Sequence, residues 1–138
     1  MLDVPRQLTV DELAELFSGR TRFVEKLAAE NDPLGRAREV ARGLTDEEKA
    51  EALAAHPRIG ERSPEQHGDD PAVLAELAEL NREYEERFGF RFVVFVNGRS
   101  RAEILPELHT RLRNTREQEL DAGLDALVSI AEDRWRRS

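Results

Sequence analysis

One local signal recurs along this chain and constrains what it can fold into: a serine or threonine standing three residues before a glutamate or glutamine. Thr9-Val-Asp-Glu12, Thr45-Asp-Glu-Glu48, Ser100-Arg-Ala-Glu103 and Thr115-Arg-Glu-Gln118 all carry it. At this spacing the hydroxyl accepts from the third helical N–H while the acid or amide reaches back to the cap's own N–H, so the donors orphaned at a helix start are satisfied in pairs. Each box opens an apolar stripe. The first leads into Leu13, Leu16 and Phe17, with Gly19 as the stop. The second predicts a helix that runs through Leu53 to His56. The third buries Ile104, Leu105, Leu108 and Leu112, with a kink at Pro106. The fourth buries Leu120, Leu124, Leu127 and Ala131.

Between the boxes lie further helices. Phe23, Val24 and Leu27 give a stripe from Thr21 to about Asn31, broken by Asn31-Asp-Pro33, and a weaker amphipathic segment runs from Leu34 to Leu44, ended by Gly43. Asp70 and Pro71 cap a longer helix in which Val73, Leu77, Leu80, Tyr84 and Phe88 share one face up to Gly89. Phe90-Arg-Phe-Val-Val-Phe-Val96 is the only β-like run, and it has no second strand to pair with. It reads as a buried extended segment whose backbone groups need other partners, either as a plain connector or as the wall of a pocket. The expected fold class is therefore all-α: a single compact multi-helix domain over residues 1–138 of about seven or eight helices, with one short buried extended segment.

Charge narrows the function classes. Lys+Arg 21 against Asp+Glu 29 gives a net charge of -8, and the basic residues are scattered among acids, which argues against nucleic acid as a partner. The chain has no cysteine, so thiol nucleophiles, thiolate metal sites and disulfides are excluded. Met1 to Val10 contains no long apolar run, and with no signal peptide or membrane span the expectation is a cytoplasmic protein without a membrane partner.

Most of the plausible chemistry gathers in His56-Pro-Arg-Ile-Gly-Glu-Arg-Ser-Pro-Glu65-Gln66. Pro57 biases His56 away from helical geometry, which leaves an imidazole at the carbonyl end of a helix, where the dipole favours its protonated form. Ser63, Pro64 and Gln66 have the pattern of a short helix start. An imidazole, a carboxylate and an amide make an acid/base constellation, and a carboxylate within ~4–6 Å would raise the histidine's pKa. The plain alternative is a structural His-Pro at a helix end. A metal site from His56, Glu65 and His67 matches no usual zinc spacing, so no metal is expected. His109 falls on a helix surface. Arg134, seven residues after Leu127, lies on the apolar face of the last helix, where it either snorkels at the helix end or points its fork into a cavity that takes a carboxylate or ureido group.

Several segments taken in order resemble a known family: His56-Pro-Arg-Ile-Gly-Glu61, Glu65-Gln66, Leu80-Asn-Arg-Glu-Tyr84-Glu-Glu-Arg-Phe88-Gly-Phe90, Phe92-Val-Val-Phe-Val96, Ile104-Leu105, Arg111-Leu-Arg-Asn114, Glu119-Leu120 and Ile130 to Arg134. From about Phe17 onward the chain is similar to 2-oxo-4-hydroxy-4-carboxy-5-ureidoimidazoline (OHCU) decarboxylases of urate degradation. The resemblance implies an all-α homodimer that converts this ureidoimidazoline to (S)-allantoin without a cofactor. It further implies that His56 and Glu65 are catalytic, and that Pro57, Gln66, Arg134 and the backbone around Val94 contact the substrate. The chain departs from the family's usual pattern in the short spacing between His-Pro-Arg-Ile-Gly and Glu-Gln, with Arg62 where a serine is common, and in lacking an N-terminal Arg-Pro-Phe segment. The alternative is a non-catalytic relative that binds a purine-derived ligand or a partner protein.

Overall fold

The capping boxes form as their spacing predicts. In the computed structural model, which describes residues 8–57 and 70–137, Thr9, Thr45 and Ser100 adopt extended backbone and start α1 (Val10–Leu16), α4 (Asp46–Ala54) and α6 (Arg101–Arg111) with both reciprocal bonds in place. Thr115 makes the same reciprocal pair at the start of α7 (Arg116–Arg137): Gln118 N–H donates to its hydroxyl at 3.1 Å, and the Gln118 amide oxygen accepts from its N–H at 2.9 Å. Thr21 caps α2 (Arg22–Ala28). The break read at Asn31-Asp-Pro33 is also a start, since Asp32 accepts from Gly35 N–H with Pro33 in the first turn of α3 (Pro33–Arg42). Asp70 caps α5 (Pro71–Phe88), and Gly89 ends it at φ 83, a conformation glycine alone adopts without a Cβ penalty. Among the described residues there are seven helices and no strand.

The last helix is the axis of the packing. α7 lies against α1, α3 and α4, while α2 packs on α1, α3 and α4 and α5 pairs with α6. Its stripe of Leu120, Leu124, Leu127 and Ala131 is buried, widened by Gly123, Ala126 and Val128. Gly123 has a packing reason: a Cβ there would lie 2.8 Å from Leu53 Cδ2, so Leu53 of α4 seats directly on the backbone of α7. Across the same seam Lys49 pairs with Asp121 and Arg116 with Asp46. The stretch from Phe90 to Val96 is extended and unpaired as a strand, with Phe90, Phe92, Val93 and Val94 buried. Pro106 lies inside α6, where its missing N–H removes one rung of the ladder.

Candidate active site

Three chain segments, far apart in sequence, bring polar groups together at one end of α7. The first is the end of α4. The helix stops at Ala54 with Ala55 as C-cap, and His56 follows, its N–H still bonded to Leu53 O at 3.2 Å. The ring is half-buried. The carbonyl end of α4, expected to favour an imidazolium, is taken by another cation: Arg91 Nη1 donates to Ala54 O at 2.9 Å and to His56 O at 2.8 Å. Burial first, and then the charges of Arg134 and Arg91, pull the His56 pKa down from 6.5 to about 4. The imidazole is neutral near pH 7, which reverses the expectation of a protonated ring.

The second segment is the turn between α1 and α2. Gly19 reads as the helix stop, but Phe17 is the C-cap and Ser18 takes the left-handed conformation, at φ 67. Gly19 N–H donates to Ala14 O at 2.9 Å. Its lack of a side chain matters elsewhere, because a Cβ would come within 3.0 Å of the Ala55 Cβ. The turn can therefore press against the end of α4, and Ser18 Oγ lies 3.4 Å from His56 Nδ1.

The third is the end of α7. Arg134 continues the buried face and turns inward, half-buried: its Nη1 donates to Ser18 Oγ at 2.8 Å, to Leu16 O at 2.9 Å and to Glu15 O at 3.5 Å. It thus closes the carbonyl end of α1, where the dipole favours a cation. Burial pulls its pKa down, while the guanidinium keeps its charge at any ordinary pH. The arginine turns inward rather than snorkelling, and what it meets there is the end of α1 and the Ser18 hydroxyl.

The extended segment supplies a wall held by guanidinium groups. Arg111 Nη1 donates to Val93 O at 2.9 Å and Arg99 donates to Phe95 O at 2.7 Å and to Val96 O at 3.0 Å, while Arg116 donates to Phe88 O at 3.0 Å, at the end of α5 just before the segment. Arg111 is fixed in turn by Glu119, which accepts from it at 2.8 Å, from Tyr84 at 2.5 Å and from Asn114 at 2.7 Å. Burial first, and then the Glu119 hydrogen bond, raise the Tyr84 pKa well above its usual 10. Among the described residues nothing bonds to the backbone N–H or C=O of Val94 itself, although its side chain is buried.

Residues 3–136 match the family model for OHCU decarboxylase. The chain belongs to the OHCU decarboxylase family. It is similar to the uric acid degradation bifunctional protein TTL of Arabidopsis thaliana, 34% identical over 99 residues that cover 59% of this chain and 31% of that protein. It is also similar to the uric acid degradation bifunctional protein PucL of Bacillus subtilis (strain 168), 28% identical over 146 aligned positions that cover 91% of this chain and 29% of that protein. The chain therefore spans less than a third of the length of either relative. A crystal structure of an OHCU decarboxylase in the presence of (S)-allantoin shares its fold with a TM-score of 0.77 and 27% identity, covering 91% of this chain and 96% of that one.

Of the residues this OHCU decarboxylase family member was expected to use, His56 and Arg134 are brought together, joined through Ser18. Pro57 is exposed directly beside His56. Val94 lies in the extended segment, which reaches His56 through Arg91. Glu65, Gln66, His67 and the helix start at Ser63 lie outside the described residues. His109 is on the surface as expected, 3.1 Å from Glu76. Ser18 and Arg91 were not singled out from the sequence. Each had a signal: a Ser-Gly pair between two helical stripes marks a turn, and Arg91 is a lone charge in an otherwise apolar run.

Proposed function

We propose that this chain decarboxylates 2-oxo-4-hydroxy-4-carboxy-5-ureidoimidazoline to (S)-allantoin, without a cofactor, as a step of urate degradation. The observation that carries the reading is the meeting of His56 and Arg134 over one hydroxyl: a neutral, half-buried imidazole beside a guanidinium whose position suits a carboxylate or ureido group. Family membership supports it. When the carbon–carbon bond breaks, the electron pair left on the ring carbon passes into the substrate's own conjugated C=N. Carbon dioxide leaves and the ring nitrogen that takes the pair is protonated; the hydroxyl then gives up its proton to become a carbonyl, and a proton is delivered from one face to the adjacent carbon that bears the ureido arm. In this reading His56 carries the proton transfer and Glu65 holds the ring and the substrate hydroxyl. Gln66, Pro57, the backbone of Val94 and Arg134 anchor the imidazoline and its ureido arm.

The test is turnover. Freshly generated ureidoimidazoline given to the wild-type chain should release carbon dioxide well above the spontaneous rate. His56→Gln should fall to background, and Arg134→Gln should raise KM more than it lowers kcat. A wild-type rate equal to the uncatalysed one would remove the reading. The same reading has the chain acting as a cytoplasmic homodimer, for which sedimentation equilibrium should give twice the chain mass; a single-chain mass would remove that part alone. Among the described residues no helix is long and apolar enough to cross a membrane.

A further inference from the structure

Ser18 stands in a conformation its side chain disfavours. Among the described non-glycine residues only Ser18 and Asn97 have positive φ, and asparagine is tolerated there in a way serine is not. A glycine follows immediately, yet the serine holds the left-handed position. Strain of this kind persists where surrounding contacts hold it, and here those contacts are two residues of the candidate site.

The hydrogen-bond inventory then fixes directions. A guanidinium has donors only, so in the 2.8 Å contact with Arg134 Nη1 the Ser18 oxygen is the acceptor. Accepting from a cation polarises the hydroxyl and makes its single proton a better donor. The His56 Nδ1 lies 3.4 Å away, a long contact of the kind that shortens when a substrate fills a site. The Arg134 charge acts on this ring. With the cation beyond the Ser18 hydroxyl, Nδ1 faces it with its lone pair at lower energy than with an N–H.

We propose that Ser18 is a positioning residue: its hydroxyl accepts from Arg134 and donates to His56 Nδ1, so that the neutral imidazole carries its proton on Nε2 and presents that N–H to the substrate. Arg91 holds the histidine's backbone carbonyl, so the residue is tied at its main chain as well as at its ring. The tautomer follows from the ligand-free geometry. Its consequence for turnover rests on the decarboxylase reading.

Ser18→Gly is the discriminating variant, because glycine accepts φ 67 and the fold should keep or raise its melting temperature while losing the hydroxyl. In wild-type protein, 15N NMR of the imidazole should show Nδ1 unprotonated and Nε2 protonated. Ser18→Gly should lose that preference and reduce kcat on the order of tenfold to a hundredfold. Ser18→Asn, which also tolerates the left-handed region and offers an N–H, should recover part of both. An unchanged tautomer in Ser18→Gly would overturn the proposal whatever the rate, and a changed tautomer with wild-type kcat would overturn its catalytic half. A wild-type chain inert toward ureidoimidazoline but with the expected tautomer would count against the decarboxylase reading and leave the positioning role standing.

Discussion

At His56 the fold sets burial and two guanidinium groups against a proton. Unfolded, the ring titrates near 6.5; folded, it titrates at about 4. Between those values the unfolded chain binds a proton that the folded chain refuses, so the stability present above pH 6.5 is lost as the pH falls towards 4. Allowing for the ring's partial exposure, the loss should amount to about 2 kcal/mol. Urea unfolding at pH 7 and pH 4.5 should therefore show a larger drop for wild type than for His56→Gln, which keeps every other titrating group; equal drops would contradict the depressed pKa. Gly19 is the second decisive residue. Gly19→Ala puts a methyl 3.0 Å from the Ala55 Cβ and should part the turn from the end of α4, with a cost of about 1–3 kcal/mol in urea unfolding and a lower kcat. A variant as stable and active as wild type would show that the close approach is not needed.

At the scale of elements, the extended segment raises the question of how a stretch with no strand partner can be buried. The answer lies in the arginines. A planar fork can satisfy one or two carbonyls at fixed geometry, which a lysine ammonium does less well, and Arg91, Arg99, Arg111, Arg116 and Arg134 all serve carbonyls outside helical ladders or at helix ends. Glu119 anchors the most buried of these forks. It is fully buried and takes three donors, so Glu119→Ala should leave the Arg111 charge uncompensated and cost about 3–5 kcal/mol. A loss below about 1 kcal/mol in chemical denaturation would mean that the network is not what holds the wall. The α4–α7 seam invites a paired test. Gly123→Ala should be destabilising because of Leu53, and Leu53→Ala in the same chain should recover part of that loss; additive losses would place the strain elsewhere.

At the scale of the molecule, what was legible in the sequence is what depends on neighbours in the chain. Capping boxes and apolar stripes are local, and they gave the starts of the helices and the face of α7. The end of α1 was misread for the same reason: a glycine one position late looks like the stop, while the contacts that hold Ser18 left-handed come from α7 and the end of α4. The sign of the His56 shift was likewise set from a distance, first by burial under the packed chain and then by guanidinium groups 35 and 78 residues further along it. Arg134 could be placed on the inner face by periodicity, but only the packed structure shows which helix end it closes.

A site built from one face of a neutral imidazole and one fixed guanidinium should deliver its proton from one side only. The most direct measurement is the circular dichroism of the allantoin formed from fresh ureidoimidazoline. The account predicts a fast signal of the (S) enantiomer from wild type that disappears in His56→Gln. Racemic allantoin, appearing at the same rate with and without the protein, would contradict it.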